Sequence, residues 1–77
     1  MRNYGEALKY HREHNNLTQM ELARRTNISQ ANISYWENNE RTPSIEFCEM
    51  LADFYGITID ELIGRSDEKG LQSKQKR

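Results

Sequence analysis

Apolar residues recur along this chain at helical rather than alternating spacing, in short runs broken by Asn, Gly and one Thr-Pro-Ser step. The pattern predicts five helices. The first covers about residues 3–15, with Tyr4, Ala7, Leu8 and His11 on one face, and stops at Asn15-Asn16. Thr18 and Glu21 form a capping box that opens a short second helix to about Arg25, with Leu22 and Ala23 inward. Thr26-Asn27 ends it, because Asn tolerates a left-handed backbone better than other non-glycine residues. Ser29 caps a third helix over Gln30–Glu37, in which Ile33 and Trp36 share a face and Gln30, Ala31, Ser34 and Tyr35 look elsewhere. Thr42 or Ser44 caps a fourth helix ending at Gly56; Thr58 and Glu61 repeat the capping box, and Gly64 closes a fifth. Such short helices on short joints predict an all-α fold, a compact orthogonal five-helix bundle.

Plotted at about 100° per residue, the fourth helix carries three stripes. Ile45, Cys48, Leu51, Ala52 and Tyr55 fit the core; Glu46, Glu49 and Asp53 form an acidic stripe; Phe47, Met50 and Phe54 form a second apolar one. That last stripe either covers the tail or the fifth helix, or it is an exposed patch of the kind that marks a protein interface. The reading adopted is a twofold homodimer through Phe47, Met50 and Phe54, with Ile59 or Ile63 nearby.

Size supports that expectation. With 77 residues the chain is one small domain near the lower limit for a self-sufficient core. A lone Cys48 cannot form an internal disulfide, and no Cys/His spacing offers a closed metal site, so a second copy is the remaining reinforcement. The predicted division is a domain over residues 1–64 and a polar, basic tail over 65–77. No bilayer-length apolar run or signal-peptide pattern is present, and a cytoplasmic location is expected.

The net charge of −1 conceals an asymmetry: residues 1–41, 42–64 and 65–77 carry +1, −5 and +3. Bulk attraction to nucleic acid is weak, so any such binding must rest on a local surface.

The second and third helices supply one. A short helix, a turn of about three residues and a helix with a polar outer face make a helix-turn-helix arrangement. Ala23 is small where the third helix crosses, Asn27 turns, and Ile28, Ile33 and Trp36 anchor the pair. The stretch LTQMELARRTNISQANISYWENNERTPS resembles the Cro/C1-type (XRE family, lambda-repressor-like) DNA-binding domains. Gly5, Arg12, Leu-Thr-Gln, Glu-Leu-Ala, the Ser29 cap, Trp36-Glu37 and Thr-Pro-Ser agree with it in order, so the likeness runs from Gly5 to Gly64. The chain departs from the pattern at Asn16, Asn27 and Asn39, where Gly is usual, at His11, usually apolar, and at Glu40, often Lys.

The resemblance implies that the third helix enters the major groove of double-stranded DNA while the start of the second abuts phosphate. Gln19 would then hold a phosphate through its side-chain amide or backbone N–H. Gln30 is the first candidate for base reading, since a Gln amide pairs bidentately with adenine. Ser29, Asn32, Ser34 and Tyr35 stand beside it, Ala31 offers a methyl, and Asn38 and Arg41 should meet phosphate from the following loop. Tyr35 fits the edge of the core equally well. The family also places a partly buried ion pair at Arg12 and Glu37. The implied function is a sequence-specific homodimeric transcriptional regulator, a repressor on a palindromic operator. The alternative is a protein-binding module such as an antitoxin or an anti-repressor partner.

Catalysis has little support. His11 and His14 stand three apart, not in the zinc-protease pattern, and no third ligand is evident. Cys48 reads as a small buried hydrophobe. The expectation is a non-enzyme with no cofactor and no metal.

Overall fold

In the computed structural model, which describes residues 3–65, five α-helices follow one another: α1 Tyr4–His14, α2 Gln19–Thr26, α3 Gln30–Glu37, α4 Ile45–Tyr55 and α5 Ile59–Ile63. The helix starts are written locally. Asn3, Thr18, Ser29, Ser44 and Thr58 each accept, through a side-chain oxygen, one of the amides that a first turn leaves without a partner. Both expected capping boxes form, and each Glu returns a bond to its cap's own amide, at 2.8 Å for Thr18 and 2.9 Å for Thr58. At the fourth helix the cap is Ser44, not Thr42. The backbone is left-handed at Asn16, Asn27 and Asn39, with φ of 61°, 62° and 61°, so Asn does the work usually given to Gly there.

Leu8, Leu22, Ile28, Ile33, Trp36, Cys48, Leu51, Ala52 and Leu62 form a single buried cluster. α1 packs on α3 and α5, α2 on α3, and α4 on α5. Leu62, on the shortest helix, has no exposed surface; truncating such a side chain to Ala costs about 2–5 kcal/mol. Two details bring α1 unusually close to α3. A Cβ on Gly5 would stand 2.5 Å from the Glu37 carbonyl oxygen and 2.8 Å from Asn39 Oδ1, so only Gly permits that approach. The Gly5 amide in turn donates to Asn39 Oδ1 at 3.0 Å.

The fourth helix corrects two expectations. Ile45, assigned to the core stripe, is 64% exposed, because it occupies the first turn, beyond the neighbours that cover Cys48 and Leu51. Phe47, assigned to the outer apolar stripe, is half-buried with its ring 5.0 Å from that of Trp36. Ile59 and Ile63 are likewise partly buried against the core. Met50 and Phe54 remain exposed. The basic tail, beyond Arg65, lies outside the described residues.

Candidate nucleic-acid interface

The turn that sets α3 against α2 is built from Asn27, Ile28 and Ser29. Left-handed Asn27 reverses the chain, Ile28 drops into the core, and Thr26 Oγ1 ties the end of α2 by donating to the Leu22 carbonyl at 2.7 Å. Ser29 Oγ then accepts the Asn32 amide at 3.1 Å, leaving its own hydroxyl proton free to donate. From there Ile33 and Trp36 point inward while Gln30 and Ala31 are exposed and Asn32, Ser34 and Tyr35 half-exposed. The outer face of α3 thus presents amides, hydroxyls and one methyl, and no charge. Such groups can pair with the donor and acceptor edges of bases.

The pair α2–α3 is locked from behind. Arg12 donates Nε to Glu37 Oε2 at 2.7 Å and Nη2 to Oε1 at 3.0 Å, and its Nη1 donates to the Leu17 carbonyl at 2.8 Å. This hydrogen bond to Glu37 raises the Arg12 pKa above its usual value against the opposing effect of burial. The family-implied ion pair is therefore present. Gln19 joins it: its Nε2 donates to Glu37 Oε1 at 3.0 Å. One amide proton of Gln19 is thereby turned inward, a use that the sequence did not suggest. Its backbone amide, in the first turn of α2, finds no acceptor among the described residues and stays open to an anion.

Beyond α3, Asn38 and Arg41 are exposed. Asn38 Nδ2 lies 3.5 Å from Ser34 Oγ. The Arg41 guanidinium lies over the Tyr35 ring, 4.2 Å from its centroid, and Tyr35 also packs against the core. Tyr35 thus joins the core edge to the loop cation. Three residues at this surface were missed from sequence: Tyr4, Gly5 and Asn39 all reach the loop from α1 or back to it. Gly5 and Asn39 stood out in the sequence only as a match to the family pattern and a departure from it, and Tyr4 only as an inward-facing residue of the first helix.

The enzyme-like features disperse. His11 Nε2 donates to the Glu61 carbonyl at 2.8 Å, while His14 stacks on Tyr10. Among the described residues no three His, Cys, Asp or Glu side chains are grouped to hold a metal. Burial raises the Cys48 thiol pKa, which disfavours the reactive thiolate. No described helix is long and apolar enough to cross a membrane.

Comparison with known proteins follows the same lines. A family model described as helix-turn-helix matches residues 8–62. The HTH-type transcriptional activator BcrR of Enterococcus faecalis is 37% identical over 60 residues, 78% of this chain and 29% of the activator. The uncharacterized HTH-type transcriptional regulator MJ0272 of Methanocaldococcus jannaschii is 32% identical over 62 residues, 80% of this chain and 94% of that protein. The HTH-type transcriptional regulator ImmR of Bacillus subtilis is 32% identical over 63 residues, 82% of this chain and 50% of that regulator. Among solved structures, a chain of the SinR/SinI protein complex superposes with a TM-score of 0.75 at 27% identity, covering 91% of this chain and 68% of that one.

Proposed function

The chain belongs to the Cro/C1-type helix-turn-helix family of transcriptional regulators, and on that premise we propose that it is a sequence-specific repressor that binds a palindromic operator as a homodimer in the cytoplasm. The observation that carries this reading is the uncharged face of α3, with Gln30 and Ala31 exposed and Asn32 and Ser34 half-exposed, on a helix locked to α2 by the Arg12–Glu37–Gln19 network. A rigid polar helix of this kind reads bases, while phosphate contact falls to the open amides at the start of α2 and to Asn38 and Arg41.

Dimerisation follows from energetics. A single reading helix without charge has little grip, whereas two of them about one helical turn apart (~34 Å) double the contacts and match a palindrome. Met50 and Phe54, exposed on α4, supply the apolar contact between copies. Repression by occupancy needs no catalysis and no further surface. Activation would need an added contact, and one relative is named an activator, so a promoter reporter separates the two.

The test is selection from a random DNA pool with the mass of the complex measured alongside. A two-chain complex on an enriched palindrome, outbinding random DNA by about a thousandfold or more, supports the regulator reading. Binding without enrichment that fades with salt favours the second reading, a protein-binding module using the same α4 surface; the similar solved structure is itself a complex of two proteins.

A further inference from the structure

The start of α1 is fastened to the loop between α3 and α4 at several points. Asn39 accepts the Gly5 amide on Oδ1 at 3.0 Å and donates Nδ2 to Asn3 Oδ1 at 3.2 Å. The Tyr4 hydroxyl donates to the Arg41 carbonyl at 3.1 Å and lies 3.4 Å from Thr42 Oγ1. The amides of the first half of the loop are turned inward: Asn38 N–H donates to the Ser34 carbonyl, Asn39 N–H to that of Trp36, and both Glu40 and Arg41 N–H to that of Tyr35. An anion approaching residues 38–41 therefore meets side chains rather than their backbone donors.

Arg41 is the cation it meets. Stacking on Tyr35 at 4.2 Å engages the face of the guanidinium and leaves its in-plane N–H groups available to a phosphate. With its backbone tied at the carbonyl and its head seated on a ring, Arg41 has lost much of its rotamer freedom before any ligand arrives. Preorganisation of that kind lowers the entropy cost of binding.

We propose that Tyr4 is a positioning residue for Arg41, so that α1, outside the helix-turn-helix pair, sets the phosphate contact of the α3–α4 loop. The proposal rests on the DNA-binding reading above. It assigns the two faces of the site separate controls: Gln30 governs which sequence is bound, and Tyr4, acting through Arg41, governs how tightly any sequence is bound.

The experiment compares the full chain with Tyr4→Phe, Arg41→Ala and the double variant on a selected operator and on random duplex, with thermal unfolding followed in parallel. Tyr4→Phe keeps the ring and removes the hydroxyl. It is expected to weaken both DNAs by about three- to tenfold, the span that one net hydrogen bond covers, and to add less than about twofold once Arg41 is Ala. Should Tyr4→Phe fail to fold, Tyr4→Leu carries the same expectation, because Leu likewise removes the hydroxyl that meets Arg41 while keeping an apolar side chain against the core. Wild-type affinity in Tyr4→Phe alongside a loss in Arg41→Ala overturns the positioning role and leaves DNA binding standing. A Tyr4→Phe loss that persists undiminished without Arg41 overturns it too, as does an Arg41→Ala variant that binds normally. Failure of the unmodified chain to bind either DNA overturns the DNA-binding reading and this inference with it.

Discussion

Arg12 grips Glu37 with two donors of one guanidinium, and the pair sits inside the protein, its side chains 10% and 4% exposed. Through Leu17 and Gln19 it also holds the α1–α2 joint and the start of α2. Removing Arg12 strands a buried carboxylate. Arg12→Ala is expected to cost about 3–5 kcal/mol in urea unfolding; a loss below about 1 kcal/mol would mark an ordinary surface pair.

Close packing of α1 on α3 predicts that Gly5→Ala is destabilising although Ala is the better helix former. Its methyl would meet the Glu37 carbonyl at 2.5 Å, and backbone cannot swing aside as a flexible side chain does. A loss of about 1–3 kcal/mol is expected, read by thermal unfolding, and an unchanged or higher Tm would show that the helices separate freely.

The Tyr55 hydroxyl is buried and has no hydrogen-bond partner among the described residues. Burial, reinforced by the Glu37 carboxylate, pushes its pKa up to about 12 from 10. The folded state therefore holds this proton more tightly than the unfolded one. That contribution is intact below about pH 10 and is lost as pH rises toward about 12. Tyr55→Phe is expected to leave neutral-pH stability within about 1 kcal/mol of the parent, or to raise it, and to flatten the alkaline decline. A clear loss of stability at pH 7 would show that the hydroxyl has a partner.

For DNA, Gln30→Ala is expected to relax preference at about one base position, worth roughly 1–3 kcal/mol of discrimination. Arg41→Ala is expected to weaken all sequences alike and to reduce the salt slope by about one unit. Binding assays on operator and random duplex across a salt series separate the two. Equal losses on both DNAs for Gln30→Ala would remove it from base reading.

Two phenylalanines on α4 should behave oppositely. Phe54, 37% exposed, is expected to tolerate Asp with the fold intact and the dimer lost, which sedimentation and circular dichroism report together. Phe47, packed on Trp36, is expected to lose about 2 kcal/mol or more even as Ala. A Phe54→Asp variant that stays dimeric would move the interface elsewhere.

Much of the candidate site was legible because its signals are local. Asn27 turns and Ser29 caps within a few residues of chain, so α3 and its outward Gln30, Ala31 and Asn32 follow from sequence. The side chain of Gln19 was not legible. A Gln at a helix start serves a phosphate or a neighbour equally well, and only the arrival of Glu37 from α3 turned its amide inward. The link between Tyr4 and Arg41 spans 37 positions and leaves no periodic trace.

By itself, then, the sequence determined within a residue or so where the helices lie, leaving only the start of α4 open between Thr42 and Ser44, and which three Asn residues bend left, since those choices are settled by hydrogen bonds within a turn or two of chain. Helical spacing also ranked the angles of α4, but it carried no information on which angle a neighbour would cover. Tertiary structure decided that Phe47 meets Trp36 while Ile45 faces out, that Gly5 admits a carbonyl, and that the Tyr55 hydroxyl is buried without a partner among the described residues. Each of these outcomes depends on atoms brought together from distant parts of the chain, whose positions exist only once all five helices are packed.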